Sequence, residues 1–383
     1  MKNLGLAIFS VFSFSVNLFS QEGGIVQFTG GSKFDFIALK NYDNRKYGLF
    51  HGEADIAATV LSENLKLFKG GLLFVQGMGI FGNKSSANYS GDLQIFSNIE
   101  SDSRIFLYQC YYKQTLGKLI IKFGQLDLNA DYSVSGYGSS LVNSSFGIIP
   151  TVSLNMPAPI FSYLSAGASF KYMFTNRLTF QTAFFNGNPG NFETNRYNLN
   201  WNFSKEGGWL NISEFHYKTK SNLKQGKYKF GIFYHSKEFE NPSDLTSIKG
   251  NFGFFAMGDQ QLTEEKNTIK NGLSLFFEIS YSSSDANLIG KYYALGLIYR
   301  GIFNGWNEDE FTMALASVRI GDNMLNYNPG LYNNESALEV TYKKYITPAF
   351  IIQPDFQYIL HPGADRQING NVTVGLLRTI LAF

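Results

Sequence analysis

Residues 227–235, KYKFGIFYH, alternate with a period of two. Tyr228, Phe230, Ile232 and Tyr234 fall on one side, and Lys227, Lys229, Gly231, Phe233 and His235 on the other. Successive side chains of a strand point to opposite faces, so the pattern specifies an extended segment between two different surroundings. The same reading applies to residues 337–343, where Leu338, Val340 and Tyr342 oppose Glu339, Thr341 and Lys343. In residues 351–359, Ile352, Pro354, Phe356 and Tyr358 oppose Gln353, Asp355 and Gln357. In residues 291–300, Tyr293, Leu295, Leu297 and Tyr299 oppose Tyr292, Ala294, Gly296, Ile298 and Arg300. Two windows resist it: Arg319 shares a face with Met313 and Leu315, and Arg378 sits among aliphatic residues in the last segment.

Alternation is compatible with a soluble β-sandwich or with a barrel in a membrane. Strand length separates the two. The alternating windows run to about ten to thirteen residues, whereas globular strands average five or six and a tilted membrane-crossing strand needs nine to eleven. Aromatic residues gather near the window ends, as at Tyr342 and Tyr345 or Phe356 and Tyr358, where a barrel carries its interfacial girdles. In hydrocarbon every backbone polar group must be paired, so such strands span only as a closed cylinder. The expected fold is therefore all-β, a transmembrane antiparallel barrel. An exported, glycan-binding sandwich is the alternative from another class.

Composition agrees with the barrel. Aromatic residues make up 16% of the chain, with 37 Phe and 23 Tyr. Charged residues are also 16%, against about 25% in ordinary soluble domains. The mean hydropathy of −0.12 means that the apolar residues are distributed, not clustered. A lone cysteine, Cys110, excludes an internal disulfide. A net charge of +2 offers no basic face to nucleic acid. His51, His216, His235 and His361 have no metal-ligand spacing, and no motif for a cofactor is present. No G-x-S-x-G occurs, and the Glu214/His216 pair lacks an assigned nucleophile, so the sequence points away from an enzyme.

Residues 1–20 read as a secretory signal, with Lys2, a run without further charge and Ser20 before the polar Gln21. Residues 21–383 then form one barrel domain. Working back from Phe383 as a periplasmic end, residues 346–349 make an inner turn and residues 361–370 an outer loop. Residues 322–336 are outer and 304–309 inner. From the N-terminal side, residues 115–118 and 175–177 are inner turns. A first count gives about seventeen strands, which is odd, while bacterial barrels are even. Moving the Asn-rich residues 196–203 into an outer loop leaves about sixteen, wide enough for an aqueous channel. On this scheme Phe383 closes the cylinder against the first strand and suits recognition by barrel-insertion machinery, and outer-membrane lipid bathes the outside.

Residues 129–160 form an excursion too long for an idle connection. Phe146, Ile148, Ile149, Val152 and Leu154 within it predict an ordered loop, folded inward to narrow the lumen. By alternation the lumen receives Lys227, Lys229, Arg300, Glu339, Lys343, Gln353, Asp355 and Gln357. Mixed charges and amides with nearby rings suit a neutral polyol better than a strongly selected ion.

Several segments, in order, carry a family resemblance: GKLIIKFGQLDLNADYSVS (117–135), FGIIP (146–150), GWLNISE (208–214), GDQQL (258–262), YYALGLIYRGIFNGWNEDE (292–310) and residues 337–365. Together these resemble the carbohydrate-selective, OprB-like porins of Gram-negative outer membranes. The resemblance implies a barrel of about sixteen strands passing sugars by diffusion through a constriction of charged and aromatic residues. It adds Asp127, Asn129, Glu214 and Asp259 to Gln353, Asp355 and Gln357 as solute contacts. The chain departs from the family at Asn307, where an arginine is usual, and at Gln109, where a glutamate is usual. A general or ion-selective pore without sugar preference is the nearest alternative.

Overall fold

A computed structural model describes residues 25–201, 203–219, 224–241, 244–264, 271–283, 285, 287–302 and 308–383. The expected signal segment, residues 1–20, and Asn307 lie outside the described residues. The first strands are β1 (Val26–Lys40), β2 (Lys46–Leu61), β3 (Gly71–Phe81) and β4 (Arg104–Leu116). They are followed by β5 (Leu119–Leu126), β6 (Ser165–Met173), β7 (Leu178–Asn186) and β8 (Trp209–Lys218). The second half comprises β9 (Gly226–Glu240), β10 (Ser247–Gln261), β11 (Gly272–Ser282) and β12 (Ile289–Arg300). The last four are β13 (Glu310–Ile320), β14 (Asn334–Thr347), β15 (Phe350–Leu360) and β16 (Val372–Ala382).

Each strand pairs antiparallel with its sequence neighbour, and β1 pairs with β16, so the sheet is a closed barrel of sixteen strands. The seam runs from Gly31 opposite Ala382 to Lys40 opposite Thr373. Phe383 extends it, donating its N–H to Gly30 O at 2.9 Å and accepting from Gly30 N at 2.8 Å. No sheet edge is left, which rules out the two-sheet sandwich. The described residues of the odd segment 196–203 lie between β7 and β8, outside any strand, as the parity argument requires.

The two faces differ as alternation predicts. Phe36, Ile56, Ile105, Phe123, Phe230, Leu295, Leu315 and Phe356 point outward and are 46–72% exposed. Such a continuous apolar exterior suits hydrocarbon, not water. Arg319, which broke the pattern, lies on this outer face one residue from the end of β13, opposite Lys291 and Asn334. There a long basic side chain reaches the interfacial layer. Arg378 belongs to the other face and is buried inside.

Aromatic rings pack closely over strand glycines on the inside of the wall. Phe255 lies directly across from Gly231, and Phe233 across from Gly253. A Cβ on Gly231 would meet the Phe255 ring at 2.2 Å, and one on Gly253 the Phe233 ring at 2.3 Å. Each ring covers a bare backbone on the neighbouring strand, the pairing known as aromatic rescue of strand glycine.

Candidate functional site: two loops docked on the inner wall

The five longest connections, after β3, β5, β7, β13 and β15, share one end of the barrel. Two of them, residues 82–103 and 127–164, turn back onto the inward face. The second is the excursion expected to be ordered; Phe146, Ile149 and Val152 are fully buried there. Pro150 begins a single helical turn, Pro150–Ser153, where its missing N–H costs nothing.

Side chains from many strands hold this loop. Glu214 on β8 accepts from Ser133 N at 2.6 Å, and also from Gln181 at 2.8 Å. Lys229 on β9 donates to Val134 O at 2.5 Å. Asp259 on β10 accepts from Ser135 Oγ at 2.6 Å and Gly136 N at 2.8 Å. Farther round, Glu339 on β14 accepts from Val142 N and Asn143 N at 2.6 and 2.9 Å. Gln353 on β15 donates to Ser140 O at 2.9 Å, and Gln357 accepts from Asn143 Nδ2 at 3.1 Å. Tyr292 on β12 donates to Ser145 O at 2.6 Å. A carboxylate that accepts two backbone N–H groups in a dry place is a strong anchor.

Loop 82–103 is tied to the closing seam. Glu335 on β14 accepts from Leu93 N at 2.8 Å and Gln94 N at 3.0 Å. Gln357 donates to Phe96 O at 2.8 Å. Ser97 donates to Asp35 at 2.7 Å, and Arg378 donates to Asn98 Oδ1 at 2.8 Å. Within the loop, Glu100 accepts from Ser86 N and Oγ, each at 3.0 Å. Burial, reinforced by the charge of Asp92, pushes Glu100 up to about 8.

The sequence-derived contacts therefore divide into two groups. Glu214, Lys229, Glu339, Gln353 and Gln357 face the lumen as expected, yet all are buried beneath the loops and occupied by them. Their geometry is that of loop anchors. Asp355, also buried, accepts from Gln357 at 3.0 Å. Lys343 is buried opposite Glu310. Asn129 donates to Gly147 O at 2.9 Å, closing the loop on itself. Asp127, just past β5, accepts from Tyr108 OH at 2.6 Å and Asn129 N at 2.8 Å.

The other expected residues are half-buried: Lys227, Arg300, ion-paired to Glu310, and Asp259, which also accepts from the loop at Ser135 and Gly136. The structure adds Lys33, paired to Glu53 at 2.5 Å, and Asp55, which accepts from Gln76 at 2.8 Å. Lys122 pairs with Asp131 at 2.5 Å beside the face of Tyr111. Gln109 donates to Gln76 at 3.3 Å, so the amide at this position continues a polar row along β3 and β4. These residues escaped the sequence reading because β1 to β6 lack a clean run of alternating charge. Lys113 and Lys122, four residues either side of inner turn 117–118 and paired across it, carried a usable signal.

Comparison with known proteins agrees with this architecture. The profile described as carbohydrate-selective porin, OprB family, matches residues 61–383. Porin B of Pseudomonas aeruginosa is 24% identical over 314 residues, covering 72% of this chain and 66% of that protein. A putative porin, QuiX, of Acinetobacter baylyi is 24% identical over 238 residues, covering 55% and 54%. The alignments thus span just under two thirds and about half of these relatives' lengths. Among solved structures, the high-pH form of Pseudomonas putida OprB superposes with a TM-score of 0.86 at 19% identity, covering 94% of this chain and 95% of that one. Salmonella typhi OmpF, in complex with daunomycin, has a TM-score of 0.63 at 8% identity, covering 95% and 99%. The match over most of the chain, on a sixteen-stranded barrel with inward loops, identifies this protein as a member of the OprB family of carbohydrate-selective porins of the Gram-negative outer membrane.

Proposed function

We propose that this porin lets small sugars diffuse passively across the outer membrane, through the passage between loop 127–164 and the wall of β1 to β6. The observation that carries this reading is the division of labour on the inner face. Buried carboxylates and amides immobilise the loop, and a separate row of half-buried polar side chains faces the remaining water. A sugar hydroxyl both donates and accepts, so Gln76, Gln109, Asp55, Asp127 and the Lys33–Glu53 pair offer complementary partners in either orientation. Phe74 stacks on Tyr111 with ring centroids 5.1 Å apart and supports contact with the C–H face of a pyranose. No chemical step is needed, and the protein acts as a channel, not an enzyme. Lipid contacts the apolar exterior, and the β16 strand with Phe383 serves insertion by the barrel-assembly machinery.

Single-channel recording with added sugar tests the reading. Glucose or a short oligosaccharide should produce concentration-dependent interruptions of the current. Liposome swelling should run faster for sugars than for other solutes of equal size. Rates that follow solute size alone, with no current interruption, would instead identify a general pore.

A further inference from the structure

The barrel wall is incomplete at one place. β4 pairs with β3 from Arg104 opposite Ile80 to Gln114 opposite Gly71, but with β5 only from Cys110, opposite Gln125, onward. Residues 104–109, the outer half of β4, therefore have no strand partner on the β5 side. An open strand edge beside hydrocarbon must find its hydrogen bonds elsewhere. Loop 187–208, between β7 and β8, supplies some of them. Leu107 donates its N–H to Tyr197 O at 3.2 Å, and Arg104 donates to Arg196 O at 3.0 Å. Gln125 adds two more, donating to Leu107 O and Tyr108 O, each at 2.8 Å.

Here the loop lies on the outside of the wall. Gln125 shares a face with the outward-pointing Phe123 and stands two residues nearer the outer end of β5, yet it is fully buried. Trp201 lies over it, its indole N–H donating to Gln125 Oε1 at 2.6 Å. The neighbouring asparagines turn back into the loop. Asn198 is fully buried and donates to Ser162 O at 3.1 Å, and Asn200 donates its N–H to Asn195 Oδ1 at 2.9 Å. Tyr197, Leu199, Trp201 and Phe203 are left 46–71% exposed, and no charge occurs between Arg196 and Lys205. A loop facing water shows its amides and hides its rings; this one does the reverse.

The exposed stripe continues an aromatic band of the barrel exterior. Phe123, Ala168, Phe184 and Asn211 form one cross-strand row. Gln125, beneath Trp201, and Trp209 both stand two residues beyond that row, toward the outer end. Trp209 packs on Phe184 and Tyr234 with ring centroids 6.0 and 5.3 Å away. Tryptophan and tyrosine gather in this way where hydrocarbon meets headgroups.

We propose that Tyr197, Leu199 and Trp201 make loop 187–208 a lipid-docking segment, seated at the boundary between acyl chains and headgroups of the outer leaflet. The occupant is lipid because the stripe lies level with Trp209, in the band that lipid already covers. Docking there closes the gap between β4 and β5 from the membrane side. It requires only the membrane barrel and is independent of the solute that passes.

Trp201, Trp209 and Trp306 are the tryptophans of the chain, so Trp209→Phe, Trp306→Phe leaves Trp201 as sole reporter. The full-length reporter protein is reconstituted in phosphatidylcholine vesicles, with or without bromine near the glycerol end of the acyl chains. Bromine should lower Trp201 emission about two-fold, while iodide in the water has little effect. Adding Tyr197→Glu and Leu199→Glu should abolish the bromine effect and open Trp201 to iodide, with the heat-modifiable mobility of the barrel retained. In the reporter without these charges, quenching by iodide and not by bromine places the loop in water and overturns the docking. Quenching by neither means that a second protomer covers the stripe, which overturns it too. So does bromine quenching that survives both charges. The reporter without added charges decides between lipid, water and protein even if the charged variant fails to assemble.

Discussion

Arg378 on the last strand and Asp35 on the first face each other across the seam that closes the barrel, with Nε to Oδ1 and an outer guanidinium nitrogen to Oδ2 both at 2.7 Å. Both side chains are buried. This fork-to-fork pair also holds loop 82–103 through Ser97 and Asn98, so one contact joins barrel closure to loop position.

Removing one member of such a pair leaves a buried charge alone, which costs about 3–5 kcal/mol. Arg378→Ala or Asp35→Ala should therefore lower the temperature at which the purified barrel loses its compact electrophoretic mobility. The Asp35→Leu, Arg378→Leu double variant should recover much of the loss. Equal mobility transitions in all variants would show that the seam does not depend on the pair.

Glu339 anchors loop 127–164 through Val142 and Asn143. Buried hydrogen bonds contribute about 0.5–1.5 kcal/mol each, so Glu339→Ala, which removes two of them, should free this part of the loop. The barrel should still assemble, since the wall pairing is untouched, and neighbouring anchors such as Gln353 persist. Single-channel traces should show larger mean conductance and more open-channel noise; traces identical to the parent protein would argue that the loop is held elsewhere.

Glu100 provides a pH handle outside the strands. Its carboxyl is pushed up to about 8, above its value in an unfolded chain, so its contribution to loop docking is complete below about pH 4 and is lost as pH rises through 8. Between pH 7 and 9.5 the amides of residues 86–100 should lose protection from hydrogen exchange beyond the intrinsic rate change. Glu100→Gln should flatten that dependence. Asp92→Asn removes the charge that reinforces the shift and should move the loss of protection to lower pH.

Gly231 has no room for a side chain because the Phe255 ring occupies the Cβ position. Gly231→Ala should destabilise the barrel by about 1–3 kcal/mol through overpacking. Adding Phe255→Leu should restore part of the stability, as judged by thermal unfolding in detergent. A wild-type transition in the alanine variant would mean that the β9–β10 wall yields more easily than the packing indicates.

Much of this architecture was readable in advance because a strand has a period of two and a barrel has parity. Tyr228, Phe230 and Ile232 against Lys227 and Lys229 needed only the strand pattern to be assigned to opposite faces. Residues 196–203 left the wall because an even count demanded it. The individual tasks of the lumen residues were not readable. Glu214 meets Ser133 and Glu339 meets Val142, pairs far apart in the chain, and no local pattern says where a folded loop will land. Asp35 and Glu335 went unnoticed for the same reason, while Arg378 stood out among aliphatics without revealing its partner.

Alternating side chains, the length of the alternating windows and the scarcity of charge pointed by themselves to a cylinder with an apolar outside and a polar inside, because long strands facing hydrocarbon must close to pair every amide; barrel closure itself excluded the sandwich. The tertiary structure alone decided which polar groups clamp the loops and which face the water. That choice depends on the register of sixteen strands and on two loops crossing the lumen, and such long-range contacts exist only once the barrel has closed.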